Sequence, residues 1–267
     1  MALASRTRPL AICLATLTLL YPGCSPGDDT LPLRDDTGPE GDTDTDTDTD
    51  GIEPPLDGSS GGSGGSDYPS STSLQIAGVS TWLLAPSGVS SRSDVPLLVV
   101  ISGTEGAQTM MANMVQVAPH FDLGDALVVV LDGRTASAAD GAAVMDGLRA
   151  SYDVDNDRTW LLSESAGTRA GLQLAFDERP SWFAAYWAND VNTTDEPSMH
   201  ADEIGFAPWG NAGPGGDWPD ATAIVDGMRA AGWQLPADAP YSGAGSETHG
   251  STDQFLEAVD FFAGKQR

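Results

Sequence analysis

Ser165 has the surroundings of a reactive alcohol. Residues 159–162 (TWLL) form a short apolar run of strand type, and a helical pattern begins at Ala166. Ser165 therefore falls at a sharp strand-to-helix turn, inside Ser163-Glu164-Ser165-Ala166-Gly167. The residues two before and two after such a turn crowd the neighbouring strand and helix, so both must be small, as Ser163 and Gly167 are. An alcohol placed there suits nucleophilic attack on an acyl carbon. The Ala166 N–H, at the positive end of the following helix, would face the oxyanion. A second donor is expected from Thr104, because residues 96–101 (PLLVVI) run into Ser102-Gly103-Thr104 and a glycine lets backbone N–H groups approach a ligand closely.

A serine hydroxyl needs a base at neutral pH. The chain has three histidines, His120, His200 and His249. His249 lies last, just before the final helical segment, and it is the expected base. His120 and His200 read as surface or packing residues. An acid should lie between Ser165 and His249 to hold the imidazole tautomer. Asp217, in a glycine-rich loop, is favoured and Asp190 is the alternative. Asp220 already has a structural reason to be present, as the N-cap of a helix. No metal or cofactor is required by this chemistry.

These residues need an alternating scaffold to hold them. Residues 74–77 and 81–85 read as short antiparallel strands. Residues 96–101 and 126–131 (ALVVVL) are continuous apolar runs, as expected of strands buried on both faces. Between them, 107–120 carries Met111, Met114, Val115 and Val117 as a buried helix. Ser137 and Asp140 open a helix with Val144, Leu148 and Tyr152 on one face. Helices are also expected over 166–176, 220–231 (with Gly232 as its stop) and from Ser251, whose inner face carries Phe255, Val259 and Phe262. Strands are expected at 183–188 and 204–207. This order implies βαβ units and a mainly parallel sheet with helices on both faces.

Residues 81–103 (TWLLAPSGVSSRSDVPLLVVISG) and 152–167 (YDVDNDRTWLLSESAG) resemble secreted polyhydroxybutyrate-depolymerase and feruloyl-esterase-like α/β hydrolases. Asp157-Arg158, Ser165-Ala166-Gly167 and Phe183-Ala184-Ala185 carry the match. His249 falls where that family has its last histidine. The resemblance spans about residues 80–264 and implies an α/β-hydrolase fold without a large lid. It also implies a serine esterase acting through an acyl-enzyme on a small-molecule or polymer ester. Ser102 stands where the family has histidine, Ser163 where it has glycine, and Asp217 is displaced by a residue or two. A second reading, a non-catalytic envelope lipoprotein with a degenerate form of this fold, follows from those departures. Trp182, Trp187, Trp209, Trp218 and Trp233 read mainly as packing residues, with Trp209 and Trp218 flanking the acid loop.

The chain has 267 residues and a formal net charge of -27, with 12 Lys+Arg against 39 Asp+Glu. Such a balance repels phosphate backbones and argues against nucleic-acid binding. Thirteen of the 39 acidic and three of the 12 basic residues precede Tyr68, leaving 26 and nine for the rest. The amino-terminal 24 residues carry Arg6, Arg8 and an apolar run over 10–21, the pattern of a signal peptide. Its end, Leu20-Tyr21-Pro22-Gly23-Cys24, resembles a bacterial lipoprotein box and implies a lipid on Cys24. The expected location is then the cell envelope, with free secretion as the alternative. Residues 25–70, with an Asp-Thr run and a Gly/Ser run over 58–66, read as a disordered tether. The Asp-Thr run lacks the loop glycine of an EF-hand. The folded domain is expected over 71–267.

Overall fold

The computed structural model describes residues 58–117, 123–193, 209–212, 218–233, 235, 237 and 239–267. Seven strands form one sheet in the order β1-β2-β4-β3-β5-β6-β7. They are β1 (Tyr68–Ile76), β2 (Val79–Ala85), β3 (Val95–Ile101), β4 (Leu127–Leu131), β5 (Val154–Glu164), β6 (Ala185–Asn189) and β7 (Trp209–Ala212). The β1–β2 and β2–β4 pairings are antiparallel, and all those from β4 to β7 are parallel. Helices α1 (Ala107–Val117), α2 (Ala138–Ser151), α3 (Thr168–Gln173), α4 (Trp218–Ala230) and α5 (Thr252–Phe262) complete the domain. Among the described residues no helix is long and apolar enough to cross a membrane.

The period-2 alternation of the central strands divides the core. Leu97, Val99, Ile101, Val129 and Leu161 pack with residues of α2 to α4, including Val144, Leu148, Leu172 and Ile224. Leu98, Val100, Val128, Val130 and Leu162 face α1 and α5, against Met110, Met114, Phe255 and Phe262. Both surfaces of the sheet are thus covered, which is why β3 and β4 are apolar at every position. Both predicted capping boxes are present. Ser137 Oγ accepts the Asp140 N–H, and Ser251 Oγ accepts the Gln254 N–H. Val144, Leu148 and Tyr152 are buried as the spacing requires, but Val115 is 39% exposed. It lies a third of a turn off the stripe of Met110, Met114 and Val117.

Three expectations change. Helix α4 starts at Trp218, so Asp220 lies in its first turn and does not cap it. Trp209–Ala212 is an edge strand, although it read as loop; the strand expected at 204–207 lies outside the described residues. Third, residues 58–66 are not a free tether. They run along the carboxyl end of α2 and complete it.

The Arg149, Ala150 and Ser151 carbonyls at that end would otherwise lack partners. Ser60 Oγ donates to the Arg149 and Tyr152 carbonyls at 3.0 and 2.9 Å. The Ser63 N–H reaches the Ala150 carbonyl and the Gly65 N–H the Ser151 carbonyl. Tyr152 Oη returns a bond to the Ser66 carbonyl at 2.6 Å. The glycines serve contact here. A Cβ on Gly62 would lie 2.0 Å from the Arg149 carbonyl oxygen, and one on Gly65 2.5 Å from the Tyr152 ring. The strap continues to Asp67, whose carboxylate accepts the Gly88 and Ser90 N–H groups. Those bonds hold its carboxyl below the usual range. Residues 58–70 therefore pack with the folded part, ahead of the expected boundary at 71.

Candidate active site

The carboxyl ends of β3, β5 and β6 converge on one crevice, the usual place for a ligand in an open parallel sheet. Ser165 follows the last residue of β5 with φ at +44°, the left-handed region that disfavours a side chain. It is 6% exposed. The turn persists because its surroundings fix it. Thr168 Oγ1 donates to the Ser165 carbonyl at 2.7 Å and accepts the Asn192 N–H at 3.0 Å. A Cβ on Gly167 would stand 2.6 Å from the Ser102 carbonyl oxygen and 2.7 Å from Ile101 Cγ2. On the other flank, the Ser163 hydroxyl bonds Tyr186 Oη at 2.6 Å. A Cβ on Gly171 would meet both groups, at 2.7 and 2.9 Å. The two small residues expected around the elbow thus have the close neighbours that require them.

Asp190 follows β6 by one residue, also with positive φ, at +49°. Its buried carboxylate accepts the Gly250 N–H at 2.5 Å and the Gln254 Nε2–H at 2.6 Å. Gln254 is the N3 residue of the α5 capping box, so the same side chain closes the helix and orients the acid. His249, on the loop leading into α5, places Nδ1 3.8 Å from Asp190 Oδ2. Its Nε2 lies 3.9 Å from Glu164 Oε1. The imidazole is partly open to solvent, with 44% of its side chain exposed.

Two glutamates went unnoticed in the sequence. Glu164 ends β5 beside Ser165 and is buried, and its Oε2 has no hydrogen-bond partner among the described residues. Burial, reinforced by the Asp190 charge and a hydrogen bond between the two carboxyls, holds Glu164 well above the usual carboxyl range. Burial also raises Asp190, opposed by the bonds it accepts from Glu164, Gly250 and Gln254. Glu105 Oε1 accepts the Gly103 N–H at 2.9 Å. A Cβ on Gly103 would lie 2.6 Å from Glu105 Oε2, 3.0 Å from Glu164 Cγ and 3.3 Å from Ser165 Cβ. Burial raises Glu105 as well. The available signal was a charged residue ending an otherwise apolar strand that leads into the reactive turn.

Of the other expected site residues, Ala166 lies in the single 3-10 turn Ser165–Gly167 that opens the helix. Thr104 is exposed on the β3–α1 turn. Ser102 is buried, and its hydroxyl accepts the Gly133 N–H at 3.2 Å and donates to the Gly103 carbonyl. Asp217 and Cys24 lie outside the described residues. Trp182, Trp187 and Trp233 are buried packing residues, and the side chains of Trp209 and Trp218 lie outside the description. Ligand-type atoms of Glu164, Asp190 and His249 fall within 4.8 Å of one another, close enough to hold a cation. Both Asp190 oxygens already accept protein donors, the Gly250 N–H and the Gln254 Nε2–H.

No protein-family model and no curated protein matches the sequence. Solved structures do match the fold. A ferulic acid esterase superposes with TM-score 0.51 and 11% identity, covering 73% of this chain and 97% of that one. A dienelactone hydrolase-like promiscuous phosphotriesterase from metagenomic libraries gives 0.50 and 15%, over 74% and 99%. A thermostable esterase gives 0.50 and 15%, over 74% of this chain and 63% of its own longer one. With the sheet order and the crevice, these likenesses define an α/β-hydrolase fold.

Proposed function

We propose that the protein is a serine esterase. The observation that carries this reading is the positive-φ Ser165 at the β5 exit, with His249 held over the same crevice beside Asp190. Ser165 Oγ attacks the ester carbonyl while His249 takes its proton. Asp190, the alternative acid, orients the ring through Nδ1 and stabilises the imidazolium. The Thr104 and Ala166 N–H groups receive the oxyanion. The imidazolium returns the proton to the departing alkoxide, and water then attacks the acyl-enzyme by the same route. The names of the structural neighbours favour a carboxylic ester, of a small molecule or a polymer. The lipoprotein-like leader supports placement at the cell envelope through a lipid on Cys24. Replacing Cys24 with alanine should then release the protein from the membrane fraction.

The rival reading is a non-catalytic envelope protein. It is favoured by Glu105, which occupies the Gly103 N–H next to the serine. A fluorophosphonate probe separates the two. Labelling of the wild type but not of Ser165→Ala supports the esterase, whereas folded wild type that never labels supports the rival.

A further inference from the structure

Three carboxyl groups, Asp190, Glu164 and Glu105, lie around one imidazole, two more than orientation of a base requires. Glu164 is the unexplained member. It precedes Ser165 directly, so it cannot move away from the reaction without moving the nucleophile. Its Oε1 lies 3.9 Å from Nε2 of His249, the nitrogen that must serve Ser165. Its Oε2 is buried without a hydrogen-bond partner among the described residues. The groups facing it are Asp190 at the end of β6, Glu105 on the β3–α1 loop, His249 on the loop before α5 and the neutral Asn189 amide.

An ionised Glu164 would act against catalysis in two ways. It would compete with Ser165 for the Nε2 proton, and it would set a negative charge beside the developing oxyanion. A protonated Glu164 does neither, and it has an acceptor available. Asp190 receives two protein donors, its oxygens lie within 4.8 Å of those of Glu164, and a carboxylate has lone pairs left for a third donor.

We propose that Glu164 is a positioning residue. It carries a proton that it shares with Asp190, and so presents a neutral group to the working side of His249. This rests on the esterase reading for its catalytic consequence, but the shared proton itself does not. Burial and the Asp190 and Glu105 charges all act to keep that proton in place. Loss of the proton at alkaline pH switches the site off, with Ser165 and Asp190 unchanged.

Glu164→Gln tests this, because the amide keeps an N–H donor towards Asp190 and cannot ionise. Fluorophosphonate labelling rates are measured against pH for wild type and variant. The wild-type rate is expected to fall about tenfold per pH unit above the titration, as for one essential proton. The variant should keep most of the neutral-pH rate and lose that fall. An unchanged alkaline fall overturns the proposal. So does a folded variant that never labels, since that would require an ionised glutamate. Infrared spectra of the wild type supply a readout independent of activity. A protonated-carboxyl band at neutral pH, persisting in Ser165→Ala and Glu105→Gln, is expected. Its absence overturns the shared proton. If the wild type is never labelled yet shows the band, the esterase reading fails and the shared proton stands.

Discussion

Oδ2 of Asp190 lies 3.8 Å from Nδ1 of His249 and at the same time accepts the N–H of Gly250, the next residue. One carboxylate thus faces the ring and bonds the backbone that carries it. Asp190→Asn should therefore remove the imidazolium's counter-charge and weaken the loop. A loss of roughly 10,000-fold in kcat/KM is expected with the fold intact by circular dichroism, as when the orienting acid of such a triad is neutralised. Full activity in that variant would return the acid role to another residue.

Gly167→Ala should be destabilising by about 1–3 kcal/mol, the usual range for forcing a methyl into packed surroundings. The added Cβ meets the Ser102 and Ile101 carbonyl oxygens at 2.6 and 2.8 Å, and backbone oxygens cannot swing aside. Denaturant unfolding measures the loss. The labelling rate should fall further than stability alone explains, since Ser165 is two residues away.

Gly62→Ala should detach the strap. Its Cβ would sit 2.0 Å from the Arg149 carbonyl oxygen, and release of the segment leaves the last carbonyls of α2 without donors. Limited proteolysis between residues 58 and 66 is expected to accelerate. Hydrogen exchange should rise at Ser63 and Gly65, with the catalytic rate unchanged.

Stability should depend on pH through Glu164. Its carboxyl is raised in the folded state, so the native protein binds that proton more tightly than the unfolded chain. This stabilising contribution is present in acid and declines as pH climbs from the ordinary glutamate range through the raised titration. Glu164→Gln should remove this decline, giving a flatter curve of melting temperature against pH. A curve parallel to the wild type would contradict the assignment.

The parts of the fold legible in the sequence were those encoded locally. The buried runs of β3 and β4 and the Ser137 and Ser251 capping boxes each involve residues within a few positions. The sharp turn at Ser165 was legible because a strand-to-helix elbow leaves recognisable spacing. Asp190 ranked below Asp217 since only the tertiary register brings the end of β6 beside the loop before α5. Trp209–Ala212 read as loop because its glycine and asparagine are poor strand formers, and its pairing with β6 overrides them. Residues 58–66 misled for a related reason. Glycine and serine give no hydrophobic pattern, and a segment held by carbonyls and missing side chains looks the same in sequence as a loose one.

That grip has a directional result. The Ser60 N–H and the Gly58 carbonyl bond Val154 and Asn156 at the first residues of β5, whereas the reactive alcohol comes after its last. Whatever pulls on the chain ahead of Gly58 therefore pulls on the base of the sheet.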